Sequence, residues 1–276
     1  MHVFGPYARY PLASERAYNV PEAPPEAHER MKRAVGLERT VFVQASGYGM
    51  DNRAMLAALA RLGARGRAVA VVALDTPRHE LESMHTAGVR GVRLNLLTLS
   101  ERHQGEPALL LHDYAKLAAP LGWHVQLFAS AATVASLERD IERCAVDVVI
   151  DHMGMPDAAA GIGQAAFQAV LRLAKSARAW VKLSGADRIT RTSGRLGDAI
   201  AFMRALAEAA PQRLVWGSDW PNIGFHSGHR VSGDEVLPHR ELDAGELLDL
   251  LAAAVPDGEA RRAILVGNPQ ALYGFR

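Results

Sequence analysis

Short apolar runs alternate with stretches of helical periodicity along most of this 276-residue chain, and this alternation constrains its fold most strongly. The runs are apolar throughout rather than alternating, as expected for strands that helices cover on both faces. Such alternation predicts parallel strands joined by crossover helices. The seven predicted strands are Val41–Gln44, Ala68–Leu74, Gly91–Leu96, Trp123–Phe128, Val146–Ile150, Ala179–Leu183 and Arg213–Trp216.

The number of strands decides between two kinds of α/β fold. Seven strands would suit an open doubly wound sheet, whereas a (β/α)8 barrel needs eight. His2–Phe4 could end a further strand that would begin before Met1. Polar or ionisable residues follow nearly every predicted strand, whereas an open sheet would concentrate them at one switch point. We therefore expect a (β/α)8 TIM barrel with a truncated first strand, in a single domain over residues 1–276.

Composition limits the classes of partner. The 31 Lys and Arg residues nearly balance the 30 Asp and Glu residues, so the basic surface that tracks nucleic acid is not expected. No apolar run approaches the ~18 residues that span a bilayer, and the start of the sequence lacks a secretory signal pattern. Cys144 is the only cysteine, which fits a reducing compartment. The expected location is the cytoplasm, and the oligomeric state stays open.

Asp219 is the first candidate for a catalytic group. It follows the apolar run Leu214–Trp216 and is succeeded by Trp220 and Pro221, which make a poor solvated turn. An apolar collar would raise the pKa of its carboxyl above the usual ~3.9 and suit it to accept a proton from water. The alternative is a helix cap or a buried ion-pair partner.

Three other residues after or within predicted strands carry chemistry. His152 could orient a carbonyl, bind a metal or pair with Asp219, although a histidine after a strand is often only a core residue. Arg93 lies inside an apolar strand, where its guanidinium needs an anion, either a substrate carboxylate or a neighbouring Asp. Arg188 could be the second arm of a carboxylate clamp, or an exposed loop charge.

A metal site is the main alternative chemistry. His2, His152 and Asp219 could supply three ligands to one divalent ion such as zinc. The predicted strand Trp123–Phe128 ends in Gln, Leu and Phe rather than in the further His that such a site would normally add. A mechanism without a metal or other cofactor is therefore the first expectation.

A glycine-containing segment follows Asp219. Residues 222–233 include His226, His229 and Arg230, which suggests a mobile flap over the site. A solvated surface loop is the equally simple alternative.

Several motifs together resemble the amidohydrolase-2 branch of the amidohydrolase superfamily, and within it the 2-pyrone-4,6-dicarboxylate lactonase group. The resemblance runs the length of the chain, to residues 268–273. The motifs are His2–Pro6, Val43–Ser46, Asp51–Ala54, Gly88–Arg93, Asp151–Gly154 and Trp216–Pro221.

The resemblance implies a TIM barrel and a hydrolase that opens a small carboxylated lactone without a metal. Asp219 would activate water, and His152 and His2 would bind the lactone carbonyl. The residues implied to contact the substrate and its carboxylates are Tyr18, Ser46, Arg93 and Arg188. A lactone isomerase, a metal-dependent hydrolase or decarboxylase, and a non-catalytic incomplete barrel stay open as alternatives.

The chain also departs from the lactonase pattern. Leu99, Phe128 and Asn222 stand where that group has an Arg, a Tyr and a His, and the pattern's His two residues before His2 is not included. Loss of a cation and a hydroxyl makes a doubly charged pyrone less expected. A mono-acid or sugar-derived lactone is at least as consistent with these residues.

Overall fold

The computed structural model describes residues 1–97, 106–176, 178–225 and 235–275. In these ranges, seven parallel strands form one sheet in which each strand pairs with the next along the chain. The strands are β1 Thr40–Val43, β2 Gly66–Ala70, β3 Val89–Asn95, β4 His124–Phe128, β5 Val148–Ile150, β6 Ala179–Leu183 and β7 Leu214–Trp216. Each overlaps a predicted strand, so the prediction of a parallel α/β fold is confirmed.

Helices connect the strands and continue past the last one. The α-helices are α1 Pro25–Ala34, α2 Arg53–Leu62, α3 Arg78–Ala87, α4 Pro107–Ala118, α5 Ala131–Ser136, α6 Glu138–Glu142, α7 Ala165–Lys175, α8 Ala186–Ile189, α9 Ala199–Ala209, α10 Ala244–Ala254, α11 Gly258–Arg262 and α12 Asn268–Tyr273. None of the described helices is long and apolar enough to cross a membrane.

Apolar side chains fill both faces of the sheet. The larger cluster lies between the sheet and the surrounding helices, and includes Phe167 and Phe202 with ring centroids 4.7 Å apart. A smaller cluster joins strand residues to the end of the chain and consists of Val43, Val69, Val149, Trp180, Val215, Tyr273 and Phe275. Strands buried on both faces explain why their sequences are apolar throughout.

The position between β1 and β7 is where an eighth strand would lie. The backbone of Met1 accepts a hydrogen bond from Val43 N at 2.8 Å, and His2 N donates to Trp220 O at 2.8 Å. Residues 1 and 2 therefore contact both flanking segments. Phe4 instead forms an isolated antiparallel bridge with Ala23, so the predicted strand His2–Phe4 does not form a regular ladder.

The second strand is shorter than predicted. It ends at Ala70, whereas the apolar run continues to Leu74. The side chain of Asn52 accepts from Val71 N at 3.1 Å and donates to Val71 O at 2.8 Å. This side chain replaces a neighbouring strand as the hydrogen-bond partner, and the ladder therefore stops.

Candidate active site

A cavity of about 570 Å³ extends from the carboxyl ends of the strands to residues near the end of the chain, such as Tyr273 and Phe275. Its polar lining includes His2, Arg93, His152, Ser184 and Asp219. The cavity then continues between β1 and β7. In parallel β/α folds the residues after successive strands meet at one face, where active sites form. Four of the predicted site residues, His2, Arg93, His152 and Asp219, thus line the same cavity.

Asp219 lies directly beyond the end of β7 and is buried. Its backbone is left-handed, with φ at 55°, a conformation that Asp tolerates better than most non-glycine residues. Its carbonyl oxygen accepts from Asn222 N at 2.8 Å. The tight turn aims the carboxylate into the cavity rather than along the strand.

Three cationic or imidazole groups surround the Asp219 carboxylate. Arg188 Nε donates to Oδ2 at 2.7 Å, and His152 Nε2 lies 3.8 Å from Oδ1. Burial alone would raise the pKa of Asp219, but Arg188, His152 and His2 outweigh it and hold the pKa well below its usual range. The prediction of a raised pKa was therefore wrong, because the sequence does not reveal that Arg188 is bonded to this carboxylate.

His152 is buried in a left-handed turn after β5, with φ at 51°. Its Nδ1 lies 2.9 Å from Ser184 Oγ, and the ring of Phe128 packs edge-on against it at 5.4 Å. Burial lowers the pKa of His152 to about 4, although Asp219 and Asp151 act in the opposite direction. A neutral imidazole with Ser184 donating to Nδ1 would carry its proton on Nε2, facing the cavity.

Replacement of Gly185 by Ala should misplace His152. Gly185 has φ at +64°, and a Cβ there would lie 2.7 Å from His152 Nδ1. Gly122 is a matched control, because its φ is +63° and no atom lies within 4 Å of its Cβ position. Both Gly→Ala variants should lose about 1–2 kcal/mol of stability from the backbone. Only Gly185→Ala should also lose about ten- to a hundred-fold in turnover, measured in parallel with thermal unfolding; equal activity of the two variants would contradict this.

His2 reaches the site from the amino terminus. Its Nδ1 lies 2.8 Å from the carbonyl oxygen of Val43, which can only accept, so Nδ1 carries the proton of the neutral ring. Burial, followed by the charge of Arg93, lowers the pKa of His2 to about 3. The free Nε2 of a neutral His2 is therefore an acceptor and not a donor.

Arg93 crosses the interior of the sheet and is buried. Its Nη1 donates to Gln44 O at 3.0 Å, and its guanidinium carbon lies 5.1 Å from the centroid of Phe128. Burial lowers the pKa of this guanidinium, against the opposing influence of Asp151. Within the described part of the chain, Arg93 Nε has no hydrogen-bond partner. A buried cationic donor facing a cavity is suited to an anionic ligand.

Tyr18 and Ser46 form a hydrogen-bonded pair beside this group, with 2.9 Å between the two hydroxyl oxygens. Burial raises the pKa of Tyr18, while the Ser46 hydrogen bond and the charges of Arg93 and Arg188 act against it. Tyr18 therefore senses the charges of both Arg93 and Arg188, and Ser46 is hydrogen-bonded to it.

Lys182 was missed by the sequence analysis. Its Nζ lies 2.6 Å from Asp151 Oδ1, and Gln126 Nε2 donates to Asp151 Oδ2 at 2.9 Å. These side chains form a mostly buried polar layer next to His152 and Arg93. Lys182 is a lone cation in the apolar strand Ala179–Leu183 and needs an anion for the same reason as Arg93, which is the signal that identifies it.

Arg240 is a second residue that sequence analysis missed. It forms an ion pair with Asp187, and its guanidinium carbon lies 4.3 Å from the centroid of Phe225. Its Nη2 also lies 3.9 Å from Asp219 Oδ2. Arg240 N donates to Asn222 O at 2.7 Å, which ties this segment to the turn after β7. No local sequence pattern around residue 240 indicates that Arg240 contacts the Asp219 turn.

Two of the three residues that depart from the lactonase pattern, Phe128 and Asn222, lie at the site. Phe128 contacts both Arg93 and His152 through its ring. Asn222 is buried next to Asp219, with φ at 59°. Leu99 and most of the predicted flap, including His226, His229 and Arg230, lie outside the described residues.

A metal centre at this site would require His2, His152 and Asp219 to converge on one ion. Among the residues that the structure describes, no three His, Cys, Asp or Glu side chains are arranged to hold a metal ion. The described residues are therefore not arranged as the three-ligand metal site considered as the alternative.

Comparison with known proteins gives relatives over almost the whole chain. This chain is 34% identical to the 4-sulfomuconolactone hydrolase of Hydrogenophaga intermedia over 274 residues, and the match covers 99% of this chain and 86% of that protein. It is 32% identical to the 2-pyrone-4,6-dicarboxylate hydrolase of Comamonas testosteroni, covering 99% of this chain and 88% of that protein.

A solved structure agrees in fold and in sequence. It is the crystal structure of a probable 2-pyrone-4,6-dicarboxylic acid hydrolase from Acinetobacter baumannii with citric acid bound, which is 28% identical. It superposes with a TM-score of 0.79 and covers 99% of this chain and 97% of that chain. The family model of the amidohydrolases matches residues 1–275. The chain belongs to the amidohydrolase family.

Proposed function

We propose that this protein is a hydrolase that opens a small lactone carrying an anionic group. The observation that carries the proposal is the Asp219 carboxylate, buried beside His152 and Arg188 in a cavity that also contains Arg93. Two relatives are named as hydrolases of a lactone and of a pyrone, and both names include an acid group. The arrangement provides a base for water, a donor for a carbonyl oxygen and cations for an anion.

Asp219 and His152 perform the chemistry in this proposal. Asp219 takes a proton from water as the water oxygen forms a bond to the lactone carbonyl carbon. Nε2–H of His152 donates to the carbonyl oxygen and stabilises the negative charge that develops there. The ring C–O bond then breaks, and the proton passes from Asp219 to the departing oxygen, which yields the open-chain acid.

His2 acts differently in this scheme from the role that the family resemblance implies. With Nδ1–H bonded to Val43, its Nε2 accepts a hydrogen bond and can orient the attacking water. Arg93, Arg188, Tyr18 and Ser46 are the proposed contacts to the substrate. No step of this scheme uses a metal.

The proposal extends to the complete fold and its setting. Met1–Val3 takes the position of an eighth strand at the mouth of a (β/α)8 barrel, supported by backbone hydrogen bonds on both sides.

We place the enzyme in the cytoplasm, because its one cysteine, Cys144, is a buried free thiol and such usage suits a reducing compartment.

The function is tested with purified protein and three lactones: 4-sulfomuconolactone, 2-pyrone-4,6-dicarboxylate and a sugar-acid lactone. Mass spectrometry in oxygen-18-labelled water should show one labelled oxygen in the carboxylate of the ring-opened product. A product without the label would instead identify a lactone isomerase, in which the substrate's own hydroxyl attacks. No turnover of any carboxylated or sulfonated lactone would refute the proposal.

The pH dependence should lack a histidine limb near neutrality. Burial lowers the pKa of His152 to about 4 and that of His2 to about 3. Both rings therefore stay neutral at pH values well below ~6.5, the usual pKa of histidine. Because kcat/KM reports groups of the free enzyme, it should be flat from about pH 8 downwards and fall only as the pH approaches about 4. An inflection near pH 6.5 would contradict the neutral assignment.

A further inference from the structure

The base and one proposed substrate anchor neutralise each other in the described structure. Arg188 Nε donates to Asp219 Oδ2 at 2.7 Å, and their side chains are only 13% and 7% exposed. A charge-assisted hydrogen bond of this length in a buried site is strong. In this state Asp219 is a weak proton acceptor, and the Nε donor of Arg188 is already engaged. The proposed role of Asp219 as a base therefore requires this contact to weaken.

Other cations in the site make such a change feasible. Arg240 lies 3.9 Å from the same carboxylate oxygen and is held in place by Asp187 and by the ring of Phe225. Asp219 would therefore keep a neighbouring cation after it loses Arg188. A buried charge left without any partner would be strongly unfavourable, and Arg240 avoids that cost.

We propose that the anionic group of the substrate replaces Asp219 on Arg188, and that this exchange is what frees Asp219 to act on water. The inference rests on the proposed function and assigns the substrate's anion a part in turnover as well as in binding. The carboxylate or sulfonate accepts the hydrogen bonds of the guanidinium, in the geometry that arginine favours. Asp219 stays in position because its turn is fixed by Asn222.

This exchange separates catalytic from binding effects of the anion. If the anion served only to hold the substrate, its removal would raise KM and leave kcat unchanged. If it releases Asp219, a neutral lactone leaves the Arg188 contact intact and kcat falls as well. A small anion supplied separately should then restore part of the turnover of a neutral lactone.

The experiment compares an anionic lactone that the enzyme opens with its neutral analogue, in which hydrogen replaces the acid group. We expect kcat for the neutral lactone to be at least about ten-fold lower than for the anionic lactone. Added acetate should raise this kcat to a plateau. Acetate should inhibit the anionic lactone competitively. If the enzyme opened no anionic lactone, the proposed function would be refuted; a neutral lactone with unchanged kcat and no acetate response would refute only the exchange.

Two substitutions test whether Arg188 is the residue that responds. Arg188→Gln should abolish the acetate response, and Arg188→Lys, which keeps the charge, serves if the first variant does not fold. The control is Arg213→Gln, because Arg213 is also paired with an Asp, at 3.8 Å from Asp147, and stacked on Trp180 at 4.9 Å. It lies at the amino end of the strands and should keep the wild-type response. A response that persists in Arg188→Gln would overturn the proposal.

Discussion

Replacement of Asp219 by Asn should lower kcat by about a thousand-fold, within the range observed when a general base is removed. The amide has nearly the shape of the carboxylate but cannot accept the proton of water. Arg188 loses its anionic partner but can still bind the anion of the substrate. KM should therefore change much less than kcat. Steady-state kinetics on an anionic lactone, with the enzyme at high concentration, measures both effects.

The control for this variant is Asp147→Asn. Asp147 precedes β5, at the end of the sheet opposite the site, and accepts from Trp180 Nε1 at 3.0 Å. It is also an Asp paired with an Arg, at 3.8 Å, but its side chain is 40% exposed and does not line the cavity. Its variant should keep near-wild-type kcat. Full turnover by Asp219→Asn would eliminate Asp219 as the base, whatever the control shows.

Replacement of Lys182 by Met should destabilise the protein by about 3–5 kcal/mol, as expected when one member of a buried ion pair is removed. The Lys182 side chain is 12% exposed and that of Asp151 is 3% exposed, with 2.6 Å between Nζ and Oδ1. Met has a similar length and fills the space, so the loss arises from the unpaired Asp151 carboxylate. Chemical denaturation of both proteins measures the difference.

The double variant Asp151→Asn with Lys182→Met should recover most of that stability, because no buried charge is left unpaired. Acidification gives an independent measure. Burial opposes ionisation of Asp151, but Lys182, His152 and Arg93 outweigh it and lower its pKa to about 2. Its contribution is therefore present above the unfolded value of ~4 and lost as the pH falls towards about 2. A single variant as stable as the double variant would contradict this account.

The strand pattern could be predicted because it depends on local periodicity. Each of the seven apolar runs overlaps a strand, and their order along the chain is their order in the sheet. Errors arose where distant side chains intervene, as at Val71, whose backbone is bonded to Asn52 rather than to a strand. The helical segment between β4 and β5 is divided at Leu137 into α5 and α6.

The amino-acid sequence by itself determined the parallel α/β fold and the positions of Asp219 and His152 after β7 and β5, because apolar strands followed by polar residues are read over a few neighbouring positions. Only the tertiary structure decided which charges meet. Arg188 and Asp219 are 31 positions apart, and the contact that lowers the Asp219 pKa exists only once neighbouring strands bring them together. Burial and pairing act in opposite directions on one carboxyl, and their balance depends on distances that no linear pattern contains.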